Sequence, residues 1–318
     1  MTRISTENAT QKKPVSTFFC MLARDFSRNK LLYLMVLPVV AYYIIFAYWP
    51  MYGIQIAFKD FSFGKGYLGS PWVGFKHFEA FFNSFYFPRV MRNTLIISFL
   101  QLVFMFPTPI IFALMINEVR NRLFKKWVQT ISYLPYFISL VVIIGIINEF
   151  CVSDGLINDI VAFFGGERTS LLQSSANFRT IYIASGLWSH LGWSSIIFIA
   201  AISTIDPELY QSAIIDGAGR FRQVWHITLP GIRPTIVILL ILSLGSFLNV
   251  GFEKIILLYN PATYEVGEVI SSYVYSKGLQ NMKWSFGAAV GLFNSVINLI
   301  LLISANKISK KISEISLW

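Results

Sequence analysis

Residues 206–234 read "DPELYQSAIIDGAGRFRQVWHITLPGIRP". The stretch separates two long apolar runs but is itself polar, with three arginines, three acids, three glycines and three prolines. Its local signals specify two short helices rather than slack. Asp206 suits the N-cap, Pro207 the first helical position and Glu208 the electropositive first turn. The spacing predicts a helix to about Ala218, where Gly217 and Gly219 weaken it. Leu209, Ala213 and Gly217 follow one i, i+4 line and Tyr210 and Ile214 the next, giving an apolar stripe. Glu208, Ser212 and Asp216 line another face, with Arg220 one turn beyond and placed to pair with Asp216. A second helix is expected to start near Arg220, with Phe221, Val224, Trp225 and Thr228 on one side. Leu229-Pro230 is expected to end it, and Pro234 to open the next apolar run. On pattern alone, the same hairpin suits a helical pair lying on a membrane surface.

The runs on either side set the fold class. Hydrophobic residues make up 55% of the 318 and charged residues 13%, against roughly 25% charged in an ordinary soluble domain. Six runs approach the ~20 residues that span a bilayer: Leu32 to Tyr52, Thr94 to Asn117, Val128 to Phe150, Thr180 to Ile205, Thr235 to Leu258 and Ser285 to Asn306. A helix satisfies its own backbone in lipid. The expected fold is therefore an all-α polytopic membrane protein of six helices, with the loop helix between spans four and five. The expected organisation is a basic segment 1–31, a membrane domain 32–306 containing the loop 206–234, and a tail 307–318.

With both termini inside, the inner segments hold sixteen Lys and Arg and the outer loops eight. This bias gives the orientation by the positive-inside rule, placing 206–234 in the cytoplasm and the long loop Gly53 to Asn93 outside. That aromatic loop is placed either to meet an arriving partner or to pack over the spans. The net charge of +10 is then a topology signal, because its basic residues are spread over separate loops and form no nucleic-acid face. The first thirty residues lack the apolar core and cleavage site of a secretory signal. Cys20 and Cys151 are expected on opposite sides of the membrane, against a disulfide.

No ATP or metal chemistry is legible. The sequence holds no G-x-x-x-x-G-K-[ST] phosphate loop, and "GGERTS" at 165–170 has the wrong spacing. His77, His190 and His226 are scattered and form no ligand cluster. No cofactor is expected on this chain and no catalytic group is read. Pro38, Pro107, Pro109 and Pro135 are expected to kink their spans.

"QSAIIDGAGRFRQVWHITLPGIRP" resembles the EAA loop of permease subunits in binding-protein-dependent ABC importers. Ala213, Asp216, Gly217, Ala218, Ile227, Leu229, Pro230 and Pro234 match the pattern. Gln211 stands where the family usually has Glu, Ser212 replaces an Ala, and Val224 takes a position often held by Phe. "NVGFEKIILLYNPATYEVGEVISSYVYSKGL", "WPMYGIQIAFKDF" and "GSPWVGFKHF" resemble the carbohydrate-uptake branch, in particular its polysaccharide and complex-oligosaccharide permeases.

The resemblance implies that the loop couples to a cytoplasmic ATPase dimer through Glu208, Gln211, Ser212, Ala213, Asp216, Gly217, Ala218 and Arg220. ATP and Mg would then be used by that ATPase. It further implies a second homologous permease, an extracellular solute-binding protein and an oligosaccharide substrate, in the bacterial cell membrane. Residues suited to a hydrated sugar path are Trp188, His190, Trp193, Asn249, Glu253, Asn294 and Asn298. Sugars need donors and acceptors in place of water and flat rings for their C–H faces. Glu149 and Glu253 lie toward outer span ends, where snorkelling to the interface, or a Glu253–Lys254 pair, is the plainer role. A permease for another solute, a secondary transporter and a surface scaffold remain as alternatives.

Overall fold

In a computed structural model the described residues are 28–313 and 315–317. Cys20 and most of the basic N-terminal segment lie outside them. The chain divides into two units, residues 1–55 and 56–318. Leu-, Ile-, Val- and Phe-rich runs form six helical stretches long and apolar enough to cross a membrane: Lys30–Phe58, Phe87–Glu118, Leu140–Phe163, Ser175–Ser203, Arg220–Gly245 and Trp284–Ser313. The described residues contain no strand, only an isolated bridge between Lys59 and Trp72.

The prolines do not simply stop or bend these helices. Pro50, Pro107 and Pro230 each follow, after one residue, a π-helical turn: Ile44–Tyr48, Gln101–Met105 and Val224–Thr228. A proline lacks the N–H and its ring strikes the carbonyl four residues back. Widening the turn just before it moves that carbonyl aside and lets the helix continue. Pro38 sits inside the helix Lys30–Tyr43.

This corrects the expected stop at Leu229-Pro230. The helix that starts at Arg220 runs through the π turn into Leu229–Gly245 as a single fifth span. It also corrects the span's limits, because the helix ends at Gly245 and not near Leu258. Phe252–Leu258 is a separate short helix. The intervening chain is held by span six, where the Asn298 side-chain oxygen accepts from the Leu248 N–H (3.0 Å).

The expected third run is discontinuous. Asn121 caps a helix Arg122–Tyr133, accepting from the Leu123 and Phe124 N–H groups at 3.0 and 3.1 Å. Pro135 sits in a short 3₁₀ segment Leu134–Phe137, and Ser139 caps a new helix Leu140–Cys151. Both halves run alongside span four. Ile143, Ile147 and Cys151 pack with Phe178 and Tyr182, Tyr136 stacks on Trp193 at 4.5 Å, and the Ser132 carbonyl lies over Gly192. The expected run Val128 to Phe150 is therefore interrupted at Pro135, and the stretch long and apolar enough to cross a membrane begins after the break, at Leu140. A further helix, Leu156–Phe163, completes that stretch after a short break.

Three apolar clusters hold unit 56–318 together. The first joins spans two, three and four to residues 250–269. A second seats Phe81 of the helix Lys76–Phe82 against Val90, Tyr273 and Val290, so this part of the long Gly53 to Asn93 loop packs over the spans. The third joins Ile110 and Ala113 to Phe198, Ile202 and Ile232, where spans two, four and five meet.

Candidate functional site

Two regions carry function-bearing geometry, and the first is the loop between spans four and five. Asp206 caps the helix Pro207–Ile215 by accepting from the Glu208 N–H at 2.9 Å. The helix ends earlier than Ala218. Gly217 takes φ +71°, and the N–H groups of Gly217 and Ala218 donate to Ile214 and Ala213 (3.0 and 2.8 Å). This is the two-bond closure that a left-handed glycine permits. No atom lies within 4 Å of where a Cβ on Gly217 would sit, so inside this chain the glycine is a terminator and not a point of close backbone approach.

The Arg220 guanidinium lies 3.9 Å from Glu118 at the end of span two. It does not pair with Asp216 as the spacing suggested, because the left-handed turn at Gly217 breaks the helical register between the two. Tyr210 and Thr228 hydroxyls meet at 3.0 Å and the Gln223 amide donates to the Ala218 carbonyl at 2.7 Å. The loop helix is thus tied to the π turn within the first part of span five. Glu208, Gln211, Ser212 and Asp216 are exposed, while Ala213 and Ala218 are half-buried. Ile215 and Phe221 stand bare at 85% and 89% exposure.

The second region lies along the break at Pro135. One cavity of about 660 Å³ is lined by His190, Trp193 and Asn249 together with Gln101, Ser194 and Ser246. An adjoining cavity of about 620 Å³ is lined by Pro135, Tyr136, Tyr182, His190, Glu253 and Lys254 among others. Gln101, Met105 and His190 border both. The break at Pro135 lines this second cavity. These volumes fall within the ~300–1,000 Å³ of small-ligand sites.

The seven sugar-path candidates separate into three groups. His190, Trp193, Asn249 and Glu253 line the cavities. Asn294 and Asn298 stand behind them, both donating to the Asn249 side-chain oxygen at 2.8 and 3.0 Å. Trp188 is half-exposed and lines neither cavity. The expected Glu253–Lys254 pair is absent from the ion pairs within 4 Å among the described residues. Sequence reasoning missed Gln101, Tyr136 and Lys254. The one available signal for Tyr136 was Pro135 within an apolar run.

Residues 105–314 match the family described as binding-protein-dependent transport system inner membrane component. The chain belongs to that family. This permease component is 47% identical over 288 residues to the polygalacturonan/rhamnogalacturonan transport system permease protein YteP of Bacillus subtilis (strain 168), covering 90% of each chain. It also resembles a chain of a bacterial ABC transporter involved in the import of the acidic polysaccharide alginate, with TM-score 0.86 and 45% identity over 92% of this chain and 99% of that one. A second structure of the alginate transporter, in complex with an alginate pentasaccharide-bound periplasmic protein, gives TM-score 0.85 at 44% identity over 92% and 99% of the chains. Membership sets aside the secondary-transporter and scaffold alternatives. The chain is a multi-pass membrane permease component of an ABC import system.

Proposed function

We propose that this permease forms one half of the membrane channel of an ATP-driven importer, passing oligosaccharides from an extracellular binding protein into the cytoplasm. The observation that carries the coupling part is the capped loop helix tied to span five. A helix that transmits force needs a fixed start, a fixed stop and a rigid link to a span, and Asp206, Gly217 and the Tyr210–Thr228 contact supply them. Exposed Ile215 at the end of that helix and exposed Phe221 at the start of the next give the loop apolar contacts for a cleft on a cytoplasmic ATPase dimer. ATP and Mg belong to that ATPase, and no cofactor is assigned to this chain. A second homologous permease completes the channel. The oligosaccharide reading is supported by cavities that combine stacked Tyr136 and Trp193 rings with the polar groups of Asn249, His190 and Glu253.

Uptake of labelled oligosaccharide by the reconstituted transporter tests the path. Glu253→Ala is expected to lower uptake about tenfold or more, as loss of a hydrogen bond to a charged group does, at unchanged assembly. Uptake within about twofold of the parent would instead mean an interfacial carboxylate.

Topology is tested separately. Both termini inside places the Leu68 side chain, 87% exposed, outside the cell and Lys310 in the cytoplasm. In a variant lacking Cys20 and Cys151, Leu68→Cys is expected to react with an impermeant thiol reagent in intact cells. Lys310→Cys is expected to react only after lysis. The reverse pattern overturns the orientation and the coupling assignment with it.

A further inference from the structure

Lys254 is the group in the cavities that the oligosaccharide reading leaves unused. Its ammonium donates to the Tyr182 carbonyl at 2.7 Å and lies 4.6 Å from the centre of the Tyr182 ring. None of the ion pairs among the described residues involves it. Glu253 lines the same cavity without coming within 4 Å of it. An ammonium has three donors, and the protein hydrogen bond occupies one. A lysine in a membrane protein's interior is costly unless paired, and is normally turned toward a polar path.

The neighbours give the chemistry of the missing partner. Gln101, Ser189 and His190 border the cavity, so hydroxyl-binding groups surround a single cation. A ligand that places a carboxylate on Lys254 and hydroxyls on its neighbours satisfies all of them. A neutral sugar leaves the ammonium without a counter-charge.

We propose that Lys254 reads the carboxylate of an acidic, uronate-type sugar and makes this permease selective for anionic oligosaccharides. This rests on the oligosaccharide reading of the same cavities. The contact is a charge-assisted hydrogen bond from Nζ to a carboxylate oxygen, remade as successive acidic units pass.

The test uses the complete reconstituted transporter and two probes: an oligogalacturonide, and the same oligosaccharide with its carboxyl groups reduced to alcohols. Each is supplied at a concentration shown to saturate the binding protein. The parent is expected to import the acidic probe faster. Lys254→Met is expected to cut acidic uptake about tenfold or more and leave neutral uptake within about twofold. Lys254→Arg, which keeps the charge, is expected to retain the acidic preference. Equal import of both probes by the parent overturns the proposal without needing any variant. So does equal loss of both probes in Lys254→Met, or a Lys254→Met that keeps the acidic preference. A parent that imports neither probe overturns the oligosaccharide reading itself, and this proposal with it.

Discussion

Gly217→Arg is expected to bring uptake to background while the membrane domain stays folded. At φ +71° any L side chain costs about 1–2 kcal/mol of local strain, confined to the end of the loop helix. The added side chain meets no atom of this chain at its first carbon, since nothing lies within 4 Å. Its bulk and charge are instead added at the exposed end of the loop helix. If that end seats in an ATPase cleft, the variant should lose the ATPase on co-purification or hydrolyse ATP without transport. Gly217→Asn is the control, because Asn tolerates the left-handed conformation. It should keep most of the uptake. Equal loss in both variants would assign the defect to strain rather than docking. Normal uptake and co-purification in Gly217→Arg would remove the docking assignment.

Gly192→Leu is expected to lower the thermal stability of the detergent-solubilised permease by about 1–3 kcal/mol or more, the range of overpacked cores. A side chain here would run into the Ser132 carbonyl and the Tyr133 ring. The Ser132 carbonyl is backbone and has no rotamer to yield, so the helix Arg122–Tyr133 and span four must separate. That separation would also pull Tyr136 from its stack on Trp193 and open the cavity wall. Gly145→Leu, on the helix Leu140–Cys151 with nothing within 4 Å, should leave the melting temperature almost unchanged. Equal melting of the two variants would show that the contact seen at Gly192 does not bear on stability.

Much of the loop was legible because its signals are local. Asp206, Pro207 and Glu208 specify a helix start within three residues, and the structure has that start. Gly217 was legible as a weak point near the helix end, and its left-handed φ is what ends the helix there. The path candidates were legible by type but not by rank. Nothing in the order of residues says that Asn294 and Asn298 hold Asn249 while His190 and Trp193 line the cavities. That depends on how spans five and six lie against each other.

The sequence alone determined the six helices, since apolar runs of spanning length have one backbone solution in lipid. It also determined the capped loop helix, whose controlling residues are neighbours in the chain. Only the tertiary structure decided where span five begins and ends. Arg222, His226 and Arg233 interrupt its apolar pattern, and a π turn carries the helix past Pro230. Its far end is set by Asn298, fifty positions away in sequence from Leu248. Only the tertiary structure, too, placed the Pro135 break against His190 and Trp193 and left Lys254 lining a cavity with no carboxylate within 4 Å of its ammonium. Hydropathy records how much of a helix suits lipid. It does not record which residues on other helices will face it, and those contacts decide what a proline or a lysine does there.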